Sequence, residues 1–431
     1  MSYSEFTELL RHDMAVSFGV TEPGAIALAV SKARAFTQGE IEKIILSMNS
    51  GIYKNSFTCG IPGTDKTGIQ YAAALGAVAG DWEKGLEALS VITDEDIAEA
   101  DRLIAENRVE VVLDSISSDL FIKAGVKTSS DYAEVIIRHM HTNITDIIAN
   151  GKVVFHKENE AESAESAHTG GIGSHSFAEM LDYAVNIPLE EISFIKRAYE
   201  VNLELAAEGV SSDICAISRR FIKENGGRIF SDDLQKSAHA LTASAIEARV
   251  RGLAKPAMSI TGSGNHGIIS TMPLYACCKI RNLGEETLLR ATALSYLVTE
   301  YIKEYSGKLS AYCGCAIAAG TGSAVGICYM LGGTENMMRA VINNMASSIT
   351  GVICTGGNPA CVLKAAIAID IGFKSVELAM DGIAVETMHG INGLDTETTM
   401  KNIGLIASPG MEQTEGTIVD ILAAKSGNGT K

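Results

Sequence analysis

Positive charge is scarce in this chain. Lys and Arg number 35 against 52 Asp and Glu, and the resulting net charge of −17 argues against nucleic acid or an anionic membrane as a partner. No signal peptide is expected, since residues 1–11 are polar and amphipathic. Nine cysteines, an odd number, fit no complete disulfide framework. Reduced thiols and a cytoplasmic location are the expectation. There is one Trp and no internal repeat, while Gly reaches 42, an excess that points to tight helix contacts and loops that approach a substrate closely.

Two stretches, 309–333 and 340–363, lack charge altogether. Each is long enough to cross a bilayer. Neither has the Leu/Ile/Phe density or aromatic belts of a lipid-facing helix, and both are rich in Gly, Ser, Thr, Asn and Cys. Closely packed helices at the centre of a domain fit better than membrane spans.

With 431 residues and 46% hydrophobic content, the chain can build two substantial cores. Helices are expected over 3–17 and 22–38, with Thr21 capping the second ahead of Pro23 in its first turn. A strand at 41–48, a turn at 49–51 and an Ala/Gly-rich helix at 66–80 follow, then a charged helix at 94–106. Runs of β-branched residues at 109–114, 120–126, 132–139, 144–149 and 152–156 predict a small antiparallel sheet. Residues 157–173 read as a linker, with His168 and His175 as solvated loop histidines or, less simply, metal ligands.

Beyond 176 the pattern is helical: 177–184, 188–206, 211–224, 231–251, 286–305, 310–332, 335–348, 359–371 and 373–387, with two short helices in 396–427. The fold class is therefore α+β. A mixed α/β domain over 1–170, whose first helices can pack on its neighbour, precedes a larger all-helical domain over 171–431.

Three cysteines in the charge-poor region stand out. Cys313 lies in Leu-Ser-Ala-Tyr-Cys-Gly, and Cys354 and Cys361 bracket Thr-Gly-Gly-Asn-Pro-Ala. Pro359 should open a helix, placing Cys361 in a first turn, where the dipole and free amides favour a thiolate. Three thiolates on an iron–sulfur cubane leave one iron open as a Lewis acid. Buried Cys also serves as a small hydrophobe, and C-x6-C matches no standard zinc or ferredoxin spacing. Cys59, Cys215, Cys277, Cys278 and Cys328 read as core or lining thiols, and Cys315 could compete with Cys313 for a metal.

The segment Thr261-Gly-Ser-Gly-Asn-His-Gly267 satisfies G-x-G-x-x-G. Met258 to Thr261 could be the preceding strand and Glu285 the acid, but helical surroundings and Pro273 speak against a dinucleotide fold. A backbone cradle for a small carboxylate suits the loop better.

Taken together, the chain resembles the L-cysteine desulfidase and L-serine dehydratase alpha-chain group, iron–sulfur lyases that work without pyridoxal phosphate. The resemblance runs nearly end to end. It rests on Thr21-Glu-Pro23, Lys54-Asn55, Gly60-Ile-Pro-Gly-Thr64, Glu247-Ala-Arg249, Gly262-Ser-Gly-Asn265, Ser310-Ala-Tyr-Cys-Gly314, the Cys354/Cys361 pair and the tail from Asn402 to Thr414. It implies a [4Fe–4S] cluster on Cys313, Cys354 and Cys361, and β-elimination on a small cysteine- or serine-like amino acid to a 2-oxo acid and ammonia. The open iron would act as Lewis acid. Thr21, Asn55, Ser263 and Asn265 are the candidate substrate-binding residues, and Glu22 and His266 the candidate catalytic ones. A homo-oligomer, a dimer, is expected.

Two departures qualify the resemblance. Val20 occupies the position before Thr-Glu-Pro where a desulfidase-like chain is expected to carry an acid/base Cys, and His266 stands where Gln is usual. The rival readings are a catalytically silent or divergent iron–sulfur protein that binds an amino acid, and a nucleotide-dependent enzyme using the Gly262 loop.

Overall fold

The computed structural model describes residues 3–157 and 171–427. Helix α1 (Tyr3–Asp13) is followed by strand β1 (Ala15–Phe18), helix α2 (Thr21–Arg34), strand β2 (Ile41–Asn49) and helices α3 (Ser50–Ser56), α4 (Ile69–Val78) and α5 (Asp94–Ala105). Strands β3 (Val109–Ser115), β4 (Phe121–Thr128), β5 (Tyr132–Arg138), β6 (Ile144–Ala149) and β7 (Lys152–His156) come next. Helices α6 (Phe177–Asn186), α7 (Lys196–Ser211), α8 (Ala216–Glu224) and α9 (Leu234–Arg251) lead to strand β8 (Pro256–Ser259). The remaining helices are α10 (Gly264–Arg281), α11 (Glu285–Ser306), α12 (Gly320–Met330), α13 (Glu335–Ile349), α14 (Ala360–Met380), α15 (Thr396–Ala407) and α16 (Glu412–Gly427). This is the expected α+β class.

The main sheet has six strands in the order β3-β2-β4-β5-β6-β7 and is mixed rather than antiparallel. Strand β2 runs parallel to β3 because three helices separate them, long enough for a crossover, whereas the later strands turn back on each other. Alternating burial along β4, β5 and β6 turns one face to the interior. That face is covered by α2, whose residues are buried without a break from Thr21 to Ser31. A helix apolar on all sides belongs at the centre of a molecule.

A second ribbon was hidden from sequence patterning. Residues 15–18 do not extend α1 but pair antiparallel with β8, Ala15 opposite Ser259 and Phe18 opposite Pro256. Four residues carry too little periodicity to compete with the helix before them. The consequence is large: the strand leading into Val20-Thr21-Glu22 lies beside the strand leading into the Gly262 loop.

Other differences have local causes. Pro273 does not stop α10, which continues to Arg281. Packing against α9, α11 and α12 outweighs the roughly 3 kcal/mol cost of a mid-helix Pro. Gly372 does not divide α14 either. A Cβ there would lie 3.4 Å from Ala324, so it marks a close approach to α12 rather than a break. The segment from 310 is not helical at its start, because Cys313 N donates to Val352 O and Cys354 N to Ala311 O, leaving one π-helical turn at Cys315–Ala319 before α12. Residues 49–51, expected as a turn, are instead the last residue of β2 and the start of α3.

Two apolar cores result. The larger spans α6 to α15 and takes in Phe6 and Leu10 of α1; the smaller joins α2, α4 and the sheet, with Ile418, Val419 and Leu422 of α16 packed into it. His175 is not solvated, and among the described residues it joins no group of three that could hold a metal ion. It is buried with its ring edge-on to Phe6, centroids 4.9 Å apart. His168 and the greater part of the linker lie outside the described residues. No described helix is long and apolar enough to cross a membrane.

Candidate functional site

The β1–β8 ribbon brings the N-termini of α2 and α10 together, and the site is built there. Thr21 does not cap α2. The cap position is Val20, with no side-chain cap bond, and Thr21 Oγ1 instead accepts a hydrogen bond from Arg249 Nη2 at 3.1 Å. Arg249 Nη1 donates to Asn265 Oδ1 at 3.1 Å, and its Nε, also buried, has no partner. Burial disfavours the guanidinium charge, while Glu22 and the thiols of Cys315, Cys361 and Cys59 favour it. Glu22 accepts from Asn55 Nδ2 at 2.8 Å.

The Gly262 loop is tight. Thr261 sits in the left-handed region at φ 52°, with its amide held by Asp13 of α1. Ser263 N donates to Ile260 O at 3.1 Å. Two amides of the expected carboxylate cradle are thereby spent, which leaves Gly264 and Asn265 in the first turn of α10, where helix amides have no intrahelical partner. The Ser263 side chain, half-buried at the N-cap of α10, makes no capping bond.

His266 is buried, and its Nδ1 pairs with Thr261 Oγ1. Thr261 Oγ1 also donates to Ile260 O at 2.7 Å, which leaves its oxygen free to accept from an Nδ1-protonated imidazole. In that tautomer Nε2 carries the lone pair. Nε2 faces the backbone beside Cys313: a Cβ on Gly314 would lie 2.8 Å from it. Burial, with Lys303, Arg249 and Lys308 nearby, pushes His266 well below the usual histidine range, so it is uncharged at neutral pH.

The cysteines form the opposite wall. Cys313 and Cys354 stand on the two chain segments joined by the Tyr312–Ile353 bridge, and Cys361 is in the first turn of α14. Pro359 takes the N-cap rather than the first helical position. Cys315 donates to the sulfur of Cys313, which holds Cys313 below the usual thiol range and raises Cys315. Cys361 also feels the charges of Cys313 and Cys354, so the four sulfurs share one patch. Its thiol does not gain the acidity expected of a first turn. Burial and the neighbouring Cys313 push it up to about 11, outweighing the helix N-terminus.

The sulfur contacts are long: Cys354 Sγ lies 3.7 Å from Asn55 Oδ1, and Cys361 Sγ 3.6 Å from Gly356 O. Lys364 donates to Thr355 Oγ1 at 2.9 Å and, with Lys303, faces the patch. Among the described residues no group of three His, Cys, Asp or Glu is arranged to hold a metal ion. A cubane spreads its thiolates farther apart than a single ion does. A buried Cys313 and half-buried Cys354 and Cys361, with few strong partners and cations beside them, are donor chemistry that suits such a cluster. Cys215, Cys277 and Cys328 are buried apart from it, Cys278 half-buried, and all nine cysteines are free.

The structure thus brings Thr21, Glu22, Asn55, Asn265, His266 and the three cysteines to one chamber, with Ser263 at its edge. Val20 is there too, its methyls 3.1 and 3.3 Å from where a Cβ on Gly357 would be. Sequence reasoning missed three neighbours. Arg249 was visible in Glu247-Ala-Arg249 without a role. Lys303, which burial pushes down to about 8, shares a buried stripe of α11 with Thr299 and Glu300, a polar spacing that could have been noticed. His141 sits in the β5–β6 turn, where a histidine gives no sequence signal.

Comparison with known proteins gives the family of the chain. The family model described as serine dehydratase alpha chain matches residues 83–420, a span containing Arg249, Asn265, His266 and all three cysteines. A UPF0597 protein of Clostridium botulinum (strain Langeland) is 41% identical over 434 residues, covering 99% of this chain and 100% of the relative. One from Caldanaerobacter subterraneus subsp. tengcongensis is 35% identical over 97% of this chain and 98% of its own length. One from Oleidesulfovibrio alaskensis is 33% identical, with 98% of each covered. By both the matched span and these relatives, the chain belongs to the serine dehydratase alpha chain family.

Proposed function

We propose that this protein is an iron–sulfur-dependent lyase that carries out β-elimination on a small cysteine- or serine-like amino acid, yielding a 2-oxo acid and ammonia. The observation that carries the reading is the orientation of His266, whose unprotonated Nε2 looks toward the Cys313 segment while Arg249 stands in the same chamber.

Arg249, flanked by Thr21 and Asn265, receives the substrate carboxylate; a guanidinium matches that group in shape and charge. The first-turn amides of α10 and the Ser263 hydroxyl support the same oxygens. His266 Nε2 takes the α-proton, and the Nδ1–H bond to Thr261 fixes its tautomer for that step. Glu22, held by Asn55, supplies the carboxylate that balances Arg249 and is the second candidate acid/base. Cys313, Cys354 and Cys361 would hold a [4Fe–4S] cluster, which when bound supplies an open iron as Lewis acid. Lys303 and Lys364 offset the thiolate charge.

Val20 in place of an acid/base cysteine leaves the proton route to His266. An apolar Val20 beside the Cys354–Cys361 loop is also the observation that favours the silent amino-acid-binding reading. The test is anaerobic purification with iron and sulfide analysis, then pyruvate and ammonia detection across an amino-acid panel. Brown protein that releases both products supports the lyase; brown protein that binds an amino acid without turnover supports the silent reading; colourless protein with stoichiometric zinc contradicts both.

A further inference from the structure

One buried group in the chamber has no part in the scheme above. His141 lies in the turn between β5 and β6, so it reaches the site from the sheet. The turn is fixed by its own hydrogen bonds: Arg138 N to Asn143 O and Asn143 N to Met140 O at 3.1 Å each, and Asn143 Nδ2 to Arg138 O at 3.0 Å. His139, the residue between Arg138 and Met140, adopts a positive φ of 65° and donates its amide to Leu120 O at 3.1 Å. A loop restrained in this way holds its side chains in place.

His141 is 7% exposed, and its Nε2 has no hydrogen-bond partner among the described residues. Such a group is costly to bury unless something completes it. Its nearest acidic neighbour is Glu22, with Oε1 3.9 Å from Nε2. That gap is too long for a bond between them, and it is the right width for one donor nitrogen to reach both. Gly262, at φ +74°, is where the ring is admitted: a Cβ there would stand 3.3 Å from both Cε1 and Nδ1 of His141. Burial opposes the imidazolium, as do Lys308 and Arg249, while Glu22 and Asp13 favour it.

We propose that His141 and Glu22 together form the seat for the substrate's α-ammonium group, with Nε2 and Oε1 as its two acceptors and Asn55 holding the carboxylate in position. The proposal rests on the reading of this chamber as an amino-acid site and adds to it the group that distinguishes an amino acid from a carboxylic acid without the amine. Arg249 at one end and the Glu22–His141 pair at the other make a site complementary to a zwitterion. The sheet, whose β5–β6 turn carries His141, is then part of the binding site rather than a remote support.

The test uses the full-length, anaerobically loaded protein and measures equilibrium binding of L-serine and L-cysteine beside their des-amino analogues, 3-hydroxypropanoate and 3-mercaptopropanoate. Losing a hydrogen bond to a charged group should weaken amino-acid binding by His141→Ala about tenfold or more, with the analogues unaffected within about twofold. His141→Gln, which keeps an acceptor, should fall between, and serves if the Ala variant folds poorly. Iron content and melting temperature, unchanged in the variants used, show that the chamber is intact. Equal weakening of amino acids and analogues, or no weakening of either, would overturn the ammonium seat alone. A wild type that binds the analogues as well as the amino acids would overturn the amino-acid reading itself, and this inference with it.

Discussion

The two walls of the chamber are built on different terms. On the side formed by α2, α9 and α10, polar groups are interlocked: Arg249 bridges Thr21 and Asn265, Asn55 holds Glu22, and Thr261 orients His266. On the other side, Cys354 and Cys361 have only weak sulfur contacts at 3.7 and 3.6 Å, and Cys313 is met by Cys315. The first wall is organised before any ligand arrives, as recognition and proton transfer require. The second depends on what the sulfurs bind. Metal binding that completes a site adds its free energy to the fold, so the thiol wall should be the conditional part of the structure.

The largest expected effect breaks the thiol wall. Cys354→Ala or Cys361→Ala should remove the cluster, read as loss of iron and sulfide, whereas Cys215→Ala, buried elsewhere, should leave both at wild-type levels. Equal loss at the two kinds of position would contradict the ligand assignment. On the polar wall, His266→Gln should lower turnover about 10²–10⁴-fold with iron retained, the usual range for loss of a general base. Val20→Cys alongside it asks whether a thiol at that position restores elimination.

A third change reaches the base that both walls share. Lys54 is buried with its Nζ 2.5 Å from Glu415 Oε2 of α16 and 2.8 Å from Ser310 O, three residues before Cys313. Lys54→Ala would strand a buried carboxylate, so urea unfolding should report a loss of about 3–5 kcal/mol.

The last change acts through pH, on a buried acid of α11. Burial raises Glu300 well above its ordinary value of 4.5, helped by the hydrogen bond and charge of Asp13. A raised folded value means that its stabilising contribution is complete below the unfolded value and is lost as pH climbs toward the folded one. The loss runs at about 1.4 kcal/mol per pH unit in that window. Glu300→Gln, always neutral, should match wild type near pH 4 and be more stable than wild type at pH 8, measured by urea unfolding at each pH. A constant difference between the two proteins would contradict the assignment.

How much of this was legible follows from the physics of each element. Strands β4 to β7 could be read because β-branched residues recur in runs of five to eight positions. The three cysteines stood out because the stretches that hold them, 309–333 and 340–363, carry no charge. Strand β1 was not legible, since four residues carry no period of their own and their partner lies more than 200 positions away. Gly372 read as a break when it is a contact, because a glycine signals small size and flexibility alike. Thr21 looked like a cap and is instead an acceptor for Arg249, a pairing across 228 positions that no local pattern contains. His141 was invisible for the same reason: its significance lies in Glu22 and Gly262, which only the fold brings near.

The account stands on the two walls acting on one ligand, and a spectrum of the loaded protein tests that most directly. Adding L-serine or L-cysteine to anaerobic wild-type protein should perturb the cluster's absorbance and, after one-electron reduction, its paramagnetic signal. In Arg249→Met, iron content should persist while the perturbation at the same amino-acid concentration disappears. A wild-type preparation without iron, or an identical perturbation in the variant, would contradict the account.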